Sequence, residues 1–197
     1  MNHTEVQFFN AYKLGMGFLF PYFTKVTSDT NKFNFFEKEF EANRNYFLES
    51  NNLDILLQAS SFIVHKNTYT SCETGFPNFK GFTYRSYKKL MDDMMSSECG
   101  GEYRLARDND ILIVYFPAES RDLTKIIDCL YPILTCRDSE EHINIILTTN
   151  LDLRKHFKFE DMTDKGRPIF KTLSYGSMAK SNVTTSTTGN ANGKEVF

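Results

Sequence analysis

Apolar residues Phe9, Tyr12, Met16, Leu19 and Phe23 recur at helical spacing from Glu5 to Phe23, and Pro21 marks the exit from the regular part. That is a first helix. Ser28 and Asp29 then offer a cap, and Phe33, Phe36, Phe40 and Phe47 repeat above a charged face of Glu37, Lys38, Glu39 and Glu41, which predicts a second amphipathic helix. Leu53 to Leu57 and Phe62 to Val64 are short apolar runs; either suits a strand or a buried helix, and the second reads better as strand. The stretch from His65 to Gly81 is polar and broken by Gly75, Pro77 and Gly81, so it reads as a surface excursion. Tyr84, Tyr87, Met91, Met94 and Met95 form a further helical face, ended by Gly100 and Gly101.

The run from Asp110 to Pro117 is rich in β-branched residues without alternation, as a strand covered on both faces requires, and Glu102 to Arg107 can pair with it as a hairpin. Leu123, Ile126, Ile127, Leu130 and Leu134 follow at helical spacing, and Ile143 to Thr148 makes another buried strand. Strand, helix and strand in this order form a βαβ crossover, so the two strands should be parallel neighbours. After a short basic helix over Leu151 to Phe159 regularity fades. From Ser174 onward the chain is mostly Ser, Thr, Asn and Gly, the composition of a flexible arm. The expected architecture is α/β: a small, mostly parallel or mixed sheet with N-terminal helices packed on it, residues 1–173 as one domain and 174–197 as an arm.

Composition supports a single core. The chain has 197 residues, 41% hydrophobic and 15% aromatic, with 19 Phe, 10 Tyr and no Trp. That is ample apolar area to offset chain entropy. A formal charge of −2 is too balanced for a general polyanion binder, so contact with nucleic acid must come from a local patch. No stretch reaches the roughly 18 apolar residues of a membrane span, and the N-terminus lacks the order of a secretory signal, so an intracellular location, nucleus or cytoplasm, is expected, or a viral factory or virion for a viral protein. Cys72, Cys99, Cys129 and Cys136 are spread too widely for a zinc knuckle, and reduced thiols are the default.

Candidate chemistry is sparse. Cys136, Asp138 and His142 are the one close grouping of nucleophile, acid and base types, in a turn where such residues ordinarily serve as loop and cap. A metal site from His65, Cys72, Cys99 or His156 would need long-range convergence that spacing does not suggest. Gly15-x-Gly17 lies inside a predicted helix and cannot cradle a phosphate. The basic helix is different: Arg154, Lys155 and Lys158, after Thr148, Thr149 and Asn150, place donors and positive charge where a phosphate backbone can lie. No catalytic residue, cofactor or metal is expected.

Three stretches together resemble a known family. Lys25 to Asp29 running into Phe36 to Phe40, Val114 to Glu119 followed by Leu123 to Leu134, and Ile143 to Thr148 followed by Leu151 to Lys155 are similar to the N-terminal jaw domain of the fifth, shared subunit of the eukaryotic nuclear RNA polymerases, which also occurs in large DNA viruses. The resemblance covers about half the chain. It implies a non-catalytic transcription subunit in which Thr149, Asn150, Arg154 and Lys155 lie near downstream DNA. The expectation is therefore a component of a larger assembly, with other protein subunits and duplex DNA within that complex as partners. The alternative is a structural protein of a viral particle or organellar complex, whose arm, through Tyr175, Met178, Val183, Val196 and Phe197, binds a neighbouring subunit.

Overall fold

The computed structural model of the chain describes residues 17–73, 81–95, 101–156 and 170–176. A short 3-10 turn (Gly17–Leu19) leads into α1 (Phe20–Ser28), with Pro21 in its first turn. Proline suits a helix start, where its missing N–H has no bond to lose, so Pro21 opens this helix and does not end the preceding one. The first twelve positions of the predicted first helix lie outside the described residues. Asp29 caps α2 (Thr30–Glu39), its carboxylate accepting from the backbone N–H groups of Asn31 and Lys32.

The second predicted helix stops at Glu39. Phe47 belongs to β1 (Asn45–Glu49), in which Tyr46 and Leu48 face one layer and Phe47 the other. Its spacing from Phe40 mimics a helical repeat, but alternation over five buried residues decides for strand. The tyrosine hydroxyl of Tyr46 donates to Glu41 O and accepts from Glu41 N, which holds the loop between α2 and β1.

Both short runs expected between Leu53 and Val64, and half the polar excursion after them, form one 21-residue helix, α3 (Leu53–Glu73). Serines within it return their hydroxyls to the preceding turn, Ser60 to Leu57 O and Ser61 to Gln58 O, so these polar groups are satisfied in a buried helix. Tyr84 is on β2 (Phe82–Ser86), not on the helical face, and α4 (Tyr87–Met95) follows directly. The segment proposed as a hairpin partner is α5 (Gly101–Asp108). It cannot pair with β3 (Ile111–Phe116), whose ladder neighbours are β2 and β4.

The βαβ unit stands as expected. β3, α6 (Leu123–Ser139) and β4 (Ile143–Thr148) form the crossover, and β3 and β4 pair in parallel from Ile111 with Ile143 to Phe116 with Thr148. A four-residue helix, α7 (Leu153–His156), lies within the predicted basic segment. Sequence periodicity shows nothing after it, yet β5 (Phe170–Ser174) adds itself beside β1. The sheet runs β2-β3-β4-β1-β5, all parallel.

Helices α1, α2 and α3 cover one face, over Tyr46, Leu48, Ile111, Ile113, Ile145 and Leu147; α4 to α7 cover the other, over Phe47, Leu112, Val114, Phe116 and Ile146. The chain moves from β1 to the far edge through α3 on the first face and returns through β3 and β4 on the second. Crossovers of one hand that run in opposite directions must use opposite faces. Among the described residues no helix is long and apolar enough to cross a membrane.

Candidate functional site

A parallel sheet collects its strand C-termini and its helix N-termini on one edge, and the crevice there opens where neighbouring strands send their crossovers to opposite faces. In this chain that point lies between β1 and β4, since α3 follows β1 on one face and α7 follows β4 on the other. Glu49, the last residue of β1, is its one buried acid, 9% exposed. Its Oε1 accepts from Arg154 Nη1 at 3.3 Å and is hydrogen-bonded to the hydroxyl of Ser174, its register partner on β5.

The turn from β1 to α3 is Ser50, Asn51 and Asn52, and its bonds run within the turn and out to β4 and Tyr175. Ser50 N donates to Thr148 O; Ser50 Oγ donates to Tyr175 O at 2.8 Å and accepts from Asn52 N at 3.1 Å. Asn52 Oδ1 accepts from Asp54 N at 2.9 Å, so the amide side chain caps α3. A loop that cradles phosphate needs glycines whose N–H groups stay free and a basic residue at its end. Here glycine and lysine are missing from the turn, the N–H groups of Ser50 and Asn52 have partners, and Glu49 and Asp54 bracket it with negative charge.

The residues singled out for nucleic-acid contact do gather on this edge. Thr149 N donates to Phe116 O and its hydroxyl meets Tyr115 Oη at 3.1 Å. Asn150 Nδ2 donates to Ser120 O, and Asn150 Oδ1 accepts from Asp152 N, which starts the turn into α7. Arg154 is turned to Glu49, while Lys155 Nζ lies 2.6 Å from Asp152 Oδ1 and holds that carboxyl below the usual range. Lys158 lies outside the described residues.

Beside α7 an open groove of about 350 Å³ is lined by Ser120, Arg121, Asp122, Lys125 and His156, among others. Thr124 Oγ1 and His156 Nδ1 are 3.1 Å apart across its floor, joining α6 to α7. Asp122 enters α6 at φ +53 without a side-chain cap. Among the described residues neither Arg121 nor Lys125 has a carboxylate partner, and sequence reading passed over both.

Cys136, Asp138 and His142 lie at the opposite edge, where strands begin, and do not converge. Cys136 is exposed, Asp138 Oδ1 accepts from Asn45 Nδ2 at 2.6 Å, and His142 sits 3.7 Å from both Asp110 and Glu140. What organises this edge is Arg137, fully buried. It donates to the carbonyls of Ala106, Arg107, Asn109, Asp110 and Ile143 and to Asn144 Oδ1. Burial pushes its pKa down to about 10, against the pull of Asp110 and other nearby acids. Among the described residues no group of three or more His, Cys, Asp or Glu is placed to hold a metal. His65 stacks on Phe23 with ring centroids 4.1 Å apart, far in role from a ligand.

Of the arm residues, Tyr175 is packed into the core, 5% exposed, its ring against Phe35 and Phe36 at 5.9 and 5.7 Å. Burial raises its hydroxyl pKa well above the usual value. Met178, Val183, Val196 and Phe197 lie outside the described residues.

No family model matches the chain, and no curated protein matches it. Among solved structures the chain is similar to one described as "a putative primosome component from Streptococcus pyogenes serotype M3", with 13% identity and a TM-score of 0.43 over 75% of this chain and 80% of that one. A likeness at that level carries no argument about function. The resemblance to the polymerase jaw domain, and the transcription reading that went with it, does not stand, because neither a family model nor a curated protein of that kind matches the chain. The physical reason the resemblance misled is that strand, helix and strand with a basic turn is an order shared by many unrelated α/β cores.

Proposed function

We propose that the chain is a non-catalytic component of a larger protein assembly, its α/β core a rigid mount and the Ser/Thr/Asn/Gly-rich sequence after Gly176 the part that engages a neighbouring subunit. The observation that carries this reading is the state of the switch point. An enzyme of this architecture keeps free acids, bases or phosphate-binding N–H groups there; here Glu49 is tied to Arg154 and Ser174, and Ser50 and Asn52 close the turn on themselves. The same bonds fix the chain where the polar sequence begins, since Tyr175 N donates to Glu49 O at 2.8 Å and Tyr175 O accepts from Ser50. The test compares the full chain with one ending at Gly176, both tagged and expressed in the native source. The full chain should sediment with partner subunits, and the shortened one should remain folded by circular dichroism yet sediment alone. Equal incorporation of both, or turnover of MgATP by the purified full chain, would end this reading.

A second reading attaches to the groove between α6 and α7. Arg121 and Lys125, without carboxylate partners among the described residues, give that groove a positive charge suited to the phosphates of duplex DNA held within that assembly. Duplex binding by the full chain should weaken with salt and fall about tenfold in Arg121→Ala/Lys125→Ala at low salt; an unchanged affinity refutes it.

A further inference from the structure

The outer face of α6 carries a row that is complementary to itself. Lys125, Cys129, Pro132 and Cys136 are all exposed and follow one another at three- and four-residue steps, which makes them a single stripe along the helix, and exposed Glu140, its C-cap, stands just past the end of that stripe. Turned end for end about a twofold axis at the step between Pro132 and Ile133, the stripe sets Lys125 against the partner's Glu140 and Cys129 against the partner's Cys136. Both the charges and the thiols match. Lys125 has no carboxylate partner among the described residues to compete for it.

We propose that this face is a self-association surface on which two copies pack α6 against α6 in antiparallel fashion, with two Cys129–Cys136 disulfides locking the pair under oxidation. Cysteine and proline are small enough for close approach. Helices pack at about 8–10 Å between axes, and their Cα atoms stand about 2.3 Å from the axis, so facing Cα atoms come within about 3.4–5.4 Å. A disulfide spans about 4.4–6.8 Å between Cα atoms, which overlaps that range. Antiparallel helices also oppose their dipoles favourably.

Each link forms by exchange with oxidised glutathione. One thiolate attacks the glutathione disulfide and releases a reduced glutathione, and the partner's thiolate then displaces the second. Two protein thiols lose two protons and two electrons, and one oxidised glutathione becomes two reduced molecules.

The experiment treats the full chain with oxidised glutathione and follows dimers by non-reducing electrophoresis, with the linked peptides mapped by mass spectrometry. A dimer joined through Cys129 and Cys136 is expected. Because each cysteine faces the other kind, Cys129→Ser alone and Cys136→Ser alone should each abolish this link. Lys125→Glu should slow cross-linking by about threefold to tenfold, and Lys125→Glu/Glu140→Lys should restore it. Glutathione adducts on a monomer, a Cys136–Cys136 link, or a rate indifferent to the charge reversals would each overturn the proposal.

Discussion

Arg137 offers the sharpest test of how this fold is held. Replacing it with methionine removes a guanidinium that donates six hydrogen bonds, five to backbone carbonyls and one to Asn144 Oδ1. The acceptors on Ala106, Ile143 and Asn144 are in the buried set, and each buried acceptor left without a donor costs about 1–3 kcal/mol, or roughly 3–9 together. The others can turn to water. Against this, the variant no longer buries a charge, and a pKa moved from 12.5 to about 10 puts that relief at about 3 kcal/mol. The net expectation is a loss of about 3 kcal/mol, close to what breaking a buried charged network usually costs. With a urea slope of about 2–3 kcal/mol/M, the midpoint at pH 7 should fall by about 1–1.5 M. Arg137→Lys keeps the charge but has three donors for six acceptors, so it should lose about 2 kcal/mol. Were Arg137→Met to shift stability by less than about 1 kcal/mol, the network would not be what binds α5, α6 and the starts of β3 and β4 together, and the reasoning would fail.

Acid should weaken the fold through His65. Its ring stacks on Phe23, and burial, with the Lys66 charge adding to it, lowers its pKa from 6.5 to about 4. The unfolded chain takes up this proton near pH 6.5 and the folded one only near 4, so stability is complete above pH 6.5 and declines as pH drops towards 4, by at most about 3 kcal/mol. Denaturant midpoints at pH 7 and 4.5 should differ less in His65→Phe than in the parent chain; an equal difference excludes His65 as the cause. Tyr175→Ala should cost about 3 kcal/mol, because it empties the space beside Phe35 and Phe36 and loosens β5. Amide exchange in β5 should rise with it, and unaltered protection there would mean that β5 is held by its ladder to β1 alone. Glu49→Gln keeps an acceptor for Ser174 but drops the charge facing Arg154, so a loss of about 1 kcal/mol is expected, with Arg154→Ala adding little on top in a double-mutant cycle. Full additivity would show that the two side chains do not act together.

Local pattern carried the α/β class and the β3-α6-β4 unit, because Ile111 to Phe116 and Ile143 to Thr148 are apolar without a break and α6 repeats at a helical period. Period alone misled at Phe47, whose spacing from Phe40 is helical although a left-handed Asn43 and a loop separate them. It failed again across α3, where two apolar runs, the second read as strand, are one helix whose intervening serines bond back to the preceding turn. β5 was invisible because Phe170 to Ser174 alternates weakly and becomes a strand only by pairing with β1.

The candidate site shows the same division. The letters around Thr149 to Lys155 pointed to a polar, basic edge, and the fold puts them on one. Only the tertiary structure decided what that chemistry is free to do, since Arg154 meets Glu49 across 105 positions of sequence and Ser174 meets it across 125. Nor could the letters Cys-Arg-Asp reveal that the middle residue is the buried one. Hydrophobic periodicity is a local property and so is written in the chain; the pairing of a buried charge depends on which distant backbone turns towards it, and that is known only once the sheet has closed.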